Sequence, residues 1–161
     1  LYMNNVKNYT VAVNIKFLRS AAQLYNESGP IAATEGSAGF DLRADVDGSI
    51  SIAPGQRSLI GSGISVEPLQ HGVAGFVYSR SGLGAMKGLT VAQGVGVIDP
   101  DYRGEIKVAL LNTSDATHTV NRGDRIAQLI FKPYFQANFR PVEELGETRR
   151  GEGGFGHTGN N

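Results

Sequence analysis

The chain has 161 residues, 40% of them apolar, and lysine plus arginine equals aspartate plus glutamate at 15 each. That length suffices for one domain with a proper core, while zero net charge argues against a broad nucleic-acid or membrane surface, so any anion site must be a local cluster of cations. There is no cysteine, which removes disulfides, thiolate nucleophiles and cysteine-bound metal, and no apolar run approaches the ~20 residues of a membrane helix. No secretory leader is visible at the N-terminus, and together these features point to a cytoplasmic protein with neither a nucleic-acid nor a membrane partner.

Strand alternation dominates from the start. Val11, Val13, Ile15 and Phe17 share one face, with Ala12, Asn14 and Lys16 on the other. "AGFDLRA" (Ala38 to Ala44) reads as an apolar strand with Asp41 on its opposite face. "SISIAPG" is a short strand closed by a turn at Pro54-Gly55, and "RSLIGSGISVEP" is two short runs broken at Gly61. Strands follow over Gly72 to Ser79, Thr90 to Ile98, Gly104 to Asn112 and Asp124 to Pro133, with one weak, glycine-containing helix at Ser81 to Lys87. Turn signals recur roughly every 8–12 residues, the spacing of an all-β sandwich or barrel. From Pro141 no core face remains. The pattern therefore divides the chain into a β-barrel domain, 1–140, and a flexible C-terminal arm, 141–161.

Several short motifs fail on context. "GEGGFG" (Gly151 to Gly156) fits a dinucleotide fingerprint by letter, but that needs a preceding strand and a following helix, and only five residues remain. No P-loop is present. "RGD" at Arg122 to Asp124 fits a hairpin turn. His71, His118 and His157 are far apart and lack zinc-ligand spacing.

Four stretches are richer in chemistry than a β-scaffold requires. In the first, Asp41 competes with the reading of an ordinary solvent-facing strand residue. In the second, "YSRSGLGAMKG" (Tyr78 to Gly88), a strand ends in Arg80-Ser81-Gly82. Turn N–H groups, a hydroxyl and a guanidinium make a phosphate cradle, unless Arg80 and Ser81 merely solvate a loop. In the third, Asp99 and Asp101 flank Pro100 at the tip of an expected hairpin beside Tyr102 and Arg103. Gly94 and Gly96 leave one strand face bare for a flat ligand; an acidic β-turn is the competing reading. The fourth, "RRGEGGFGHTG", offers arginine and glycine N–H groups for phosphate and Phe155 for stacking on a base.

These are the parts a nucleotide needs. Taken in order, they resemble motifs one to five of the trimeric dUTP nucleotidohydrolases (dUTPases): "AGFDLRA", "SRSGLG", "GVGVIDPDYRGEIKV", "RGDRIAQLIF" and "RRGEGGFGHTG", spanning about Val13 to Gly159. The resemblance implies an all-β, jelly-roll-like barrel assembled as a homotrimer, with active sites at subunit interfaces. It implies Mg²⁺-dependent cleavage of dUTP to dUMP and pyrophosphate, keeping uracil out of DNA and supplying dUMP for thymidylate. Asp99 would orient the water that attacks the α-phosphorus and accept its proton. Arg80, Ser81, Gly82, Gln128, Arg150 and Thr158 would hold the phosphates. Asp41 would touch the hydration shell of Mg²⁺ through water.

By the same resemblance, main-chain groups of Gln93 to Ile98, including Gly96 and Val97, read uracil. Tyr102 packs under the deoxyribose, Lys107 contacts the nucleotide, and Phe155 with Gly156 closes over the base. Two departures stand out. Ser79 replaces a usual proline before Arg-Ser-Gly, implying looser loop geometry, and Gln93 stands where some members have Asn. Two rival readings share the fold: a dCTP deaminase and a nucleotide-binding protein without catalysis. The deaminase uses a motif-three glutamate, whereas here Asp99-Pro100-Asp101-Tyr102 follows the dUTPase pattern and Glu105 lies past the tyrosine.

Overall fold

In a computed structural model, residues 10–154 are described. Their elements run β1 (Val13–Phe17), a 3-10 helix (Ala21–Tyr25), β2 (Phe40–Arg43), β3 (Ser49–Ile52), β4 (Arg57–Gly61), β5 (Ile64–Pro68), β6 (Val73–Tyr78), α1 (Ser81–Lys87), β7 (Leu89–Val91), β8 (Val95–Ile98), β9 (Lys107–Asn112), β10 (His118–Asn121) and β11 (Arg125–Pro133). All the strand pairs are antiparallel. One sheet has the order β2-β11-β6-β8, another β4-β9-β7, with the pairs β1-β5 and β3-β10 beside them. Among the described residues no helix is long and apolar enough to cross a membrane.

Alternating side chains from these layers meet in one core. Leu42, Ile52, Ile60, Ile64, Val108, Leu110, Ile126 and Leu129 are almost wholly buried, removing apolar area from water at about 25 cal/mol per Å². Ile106 is fully buried although it lies outside any strand. Its N–H donates to the Ile64 carbonyl at 2.9 Å and its own carbonyl accepts the Ser62 N–H at 3.0 Å. The loop before β9 is thereby pinned to the break between β4 and β5.

The structure corrects four details of the sequence reading. The break in "RSLIGSGISVEP" falls at Ser62-Gly63, not Gly61, because Gly63 supplies the positive φ of 71° that the turn requires. Thr90 to Ile98 is two strands, β7 and β8, parted by a turn in which Gly94 has φ 78°. The segment around Asp99-Pro100 is no hairpin: β8 pairs with β6, β9 pairs with β4 and β7, and the segment crosses between sheets. The Arg122–Asp124 turn likewise joins β10 and β11, which belong to different sheets. Strand β10 and the 3-10 helix were not expected from the periodicity.

Candidate active site

The first group of candidate residues gathers where β2, β11 and β6 run side by side. Gln128 of β11 lies opposite Asp41 of β2 on one side and Tyr78 of β6 on the other. A register shift between Arg125 and Ala127 decides what else joins them. Arg125 and Gln128 are an odd number of residues apart and would face opposite ways along a regular strand. The bulge inserts one residue, so Arg125 opposite Arg43 and Gln128 opposite Asp41 share a face, while Ile126 and Ala127 are both buried. Gly39 makes room here, since a Cβ at that position would collide with Gln128 Oε1.

Hydrogen bonds fix this group in place. Arg80 Nε donates to Asp41 Oδ1 at 2.7 Å, and Arg125 Nη1 donates to Asp41 Oδ2 at 3.3 Å. Gln128 Nε2 donates to the Ser79 carbonyl at 3.0 Å. The looser loop expected at Ser79 is not found. Its hydroxyl accepts the Val91 N–H at 2.8 Å and fastens the end of β6 to β7, a bond proline could not make. Arg80 is extended (φ −84°, ψ 136°) and starts the short helix α1. Ser81 and Gly82 follow at its first turn, whose N–H groups have no partner within the helix, and a Cβ on Gly82 would meet open space.

The second group lines a cleft of about 230 Å³ beside β8. Val77, Val91 and Val108 supply apolar walls, Gln93 and Gly96 to Asp99 one side, and Tyr102, Glu105 and Lys107 another. Strand β8 ends its sheet, so every second N–H and C=O along it is free to bind a ligand. Gly96 is buried, and a Cβ there would lie 3.2 Å from Val77 Cβ and 3.4 Å from Gln93 Nε2. Its missing side chain leaves space that the cleft uses. Asp99 is exposed at the mouth, where its carbonyl accepts the Tyr102 N–H at 3.0 Å and closes a tight turn.

The Tyr102 ring folds back over Gly104, where any Cβ would collide with it, and its hydroxyl donates to the Glu105 carbonyl at 3.0 Å. Arg103 Nη1 donates to the Pro100 carbonyl at 2.7 Å, and Arg103 Nη2 to Glu67 Oε1 at 2.9 Å. Hydrogen bonding from Asn14, then the charge of Arg103, hold the Glu67 carboxyl below its ordinary range.

Within one chain the two groups adjoin along β6, but Asp99 lies away from Arg80. Ile98, preceding Asp99, pairs with Gly75 in the middle of β6, while Val95 at the start of β8 and Gln128 of β11 flank Tyr78, near Arg80. From Gly75 to Arg80 an extended strand covers about 16 Å. Beyond β11, residues 135–150 are exposed and carry neither strand nor helix. Arg150 Nε there donates to the Gly153 carbonyl at 2.7 Å. Phe155, Gly156 and Thr158 lie outside the described residues. Sequence reasoning missed Gly39 and Arg125: the glycine precedes Phe40 without a turn signal, and no residue pattern announces the bulge.

A family model described as dUTPase matches residues 27–159. The deoxyuridine 5'-triphosphate nucleotidohydrolase of Idiomarina loihiensis is 51% identical over 130 residues, covering 81% of this chain and 86% of the relative. The enzymes of the same name from Actinobacillus pleuropneumoniae serotype 3 and Desulfitobacterium hafniense are each 50% identical with the same coverage. Among solved structures, a Staphylococcus bacteriophage 80alpha dUTPase mutant with dUpNHpp superposes with a TM-score of 0.81 at 22% identity, over 93% of this chain and 99% of that one. A phage phi11 dUTPase mutant, whose description names a structural Mg(II) ion, gives 0.72 at 21% identity, over 84% and 99%. The architecture is therefore the jelly-roll-like β fold of these proteins.

Proposed function

The chain belongs to the dUTPase family, and on that premise we propose how its residues divide the hydrolysis of dUTP to dUMP and pyrophosphate. The cleft beside β8 carries the reading. An exposed strand edge, a glycine floor and a carboxylate at the mouth lie together there, as a flat base, a pentose and an α-phosphate require. Free main-chain groups from Gln93 to Ile98, with Gly96 and Val97 between them, read uracil, and the tight walls exclude a 5-methyl group. Tyr102 packs against deoxyribose and Lys107 contacts the nucleotide. Asp99 accepts a proton from water as its oxygen attacks the α-phosphorus, and the bridging oxygen leaves with pyrophosphate.

Arg80, Ser81, Gly82 and Gln128 bind the phosphates, where preorganised donors stabilise charge that develops during transfer. Among the described residues no three acidic or histidine side chains converge on a point, a donor set that fits Mg²⁺ carried chiefly by the substrate's own phosphates. Mg²⁺ when bound supplies charge neutralisation, and Asp41 contacts its hydration shell. Asp99 and the Arg80 group then act on one nucleotide across subunits of a homotrimer. Exposed Val97 and Leu59 are apolar surface such an assembly would cover. Residues 1–140 form the β-domain and 141–161 the arm, which brings Arg150, Phe155, Gly156 and Thr158 over bound nucleotide. The cytoplasm is the proposed location.

Pyrophosphate release tests this directly, with dUTP, dTTP, UTP and dCTP each supplied with Mg²⁺. Turnover is expected with dUTP above all others, and ammonia released from dCTP would mean a deaminase instead. Truncation before Arg149 is expected to leave a folded trimer whose dUTP hydrolysis falls by about two orders of magnitude. A truncated enzyme of normal rate would remove the arm from the mechanism.

A further inference from the structure

A charged network outside the site reaches the loop that carries Tyr102. Asp45 has a side chain only 1% exposed, yet two arginines bind it. Arg19 Nε donates to Asp45 Oδ2 at 2.7 Å, and Arg122 Nη1 to Oδ1. Arg19 continues to the loop: its Nη2 donates to Glu105 Oε1 at 2.5 Å. The same carboxylate oxygen accepts the Gly63 N–H at 2.8 Å. Gly61 and Gly63 leave the space this requires, since a Cβ on Gly61 would collide with the Glu105 carboxylate and one on Gly63 with Ala21 and Asp45.

Arg19 itself takes a left-handed backbone conformation, φ 52°. A non-glycine residue adopts this at a cost that the surrounding structure must offset. The contact at the far end of the network is the Glu105 carbonyl, which accepts the Tyr102 hydroxyl at 3.0 Å. The order Asp45, Arg19, Glu105, Tyr102 thus runs from a buried carboxylate to the ring at the cleft mouth, through bonds to charged groups at each step but the last.

We infer that Arg19 is a positioning residue for sugar discrimination: through Glu105 it sets the tilt of the Tyr102 ring, and so the space left for a 2′-hydroxyl. The inference rests on the reading of Tyr102 as the deoxyribose platform. Without Arg19 the Glu105 carboxylate keeps only the Gly63 N–H of these partners, and the carbonyl that steadies Tyr102 is free to shift. Arg122 shares Asp45 with Arg19 but does not touch Glu105, which makes it the structural control.

The test measures kcat and KM for dUTP and UTP in full-length variants. Arg19→Ala is expected to raise KM for dUTP about fivefold, lower the dUTP-to-UTP ratio of kcat/KM about fivefold, and leave kcat within about twofold. Arg19→Lys keeps a cation on Glu105 and restores most of the ratio. Glu105→Ala, which retains the backbone carbonyl, reproduces the Arg19→Ala effect, and the double variant is no worse than either single change. Arg122→Ala lowers the thermal midpoint and leaves the ratio unchanged. Tyr102→Ala separates the two readings. If it collapses the ratio while Arg19→Ala and Glu105→Ala keep it, the positioning role is overturned and the platform stands. If Tyr102→Ala also keeps the ratio, both fall.

Discussion

The two groups that flank β6 are built on opposite terms. At the end holding Tyr78, Asp41 is only 17% exposed and lies between Arg80 and Arg125, and Gln128 is tied to the Ser79 carbonyl. In the cleft beside β8, Asp99 stands exposed at the mouth, with Val77, Val91 and Val108 forming the apolar part of the wall. The first group is wired before any ligand arrives. Its cations are already compensated, so a triphosphate must compete with Asp41 for them. Among the described residues the Asp99 carboxylate has no hydrogen-bond partner, and the bonds of the second group fall on the backbone around it, through the Asp99–Tyr102 turn and Arg103. Binding groups are held by each other, whereas the group given the chemistry is held by the loop beneath it.

Substitutions can break that contrast. Asp99→Asn has the largest expected effect: kcat for pyrophosphate release falls about 10³-fold, while dUTP binding measured by calorimetry and the thermal midpoint stay near their original values. Unchanged turnover would remove Asp99 from the chemistry. At the wired end, Arg80→Ala affects function and fold together. We expect about a 10²-fold loss in kcat/KM and, because Asp41 keeps Arg125, a loss of only about 1 kcal/mol in denaturant unfolding.

The smallest effect concerns what lies behind the wired end. The Tyr25 hydroxyl donates to the Ser62 carbonyl at 2.8 Å and accepts the Arg43 N–H of β2 at 3.0 Å. Burial pushes its pKa from the ordinary 10.0 up to about 12. The folded chain thus keeps a proton that the unfolded chain loses first. Its stabilisation is complete below about pH 10 and is lost as pH rises toward 12. Thermal midpoints across that range should fall in the parent protein and fall less steeply in Tyr25→Phe, which starts lower for want of the hydrogen bonds.

Much of the cleft was legible in the residues. Gly94 and Gly96 mark a turn and a bare strand position, and Asp99, Tyr102 and Lys107 follow within one crossing, so chain order alone nearly assembles that group. The wired group was less legible. Its members come from two strands and the start of a helix, and side-chain parity misplaces Arg125 by one face until the bulge at Ile126-Ala127 is known. Ser79 shows the reverse error: read as a lost proline, it is a hydrogen-bond acceptor for β7. The network of Arg19, Asp45, Glu105 and Arg122 had no signature, because its charges are scattered along the chain and each alone fits a solvated surface.

Alternation, turn residues and motif spacing are local properties of the chain, and from them alone come the all-β class, the approximate strand positions and the five motifs in order. Which faces those strands share emerges only from the folded chain. Folding turned an expected hairpin at Asp99 into a crossing between sheets and gathered the two functional groups on either side of β6. Sheet order and bulges are fixed by how strands from distant parts of the chain bury a common core, and that balance is written in no single segment.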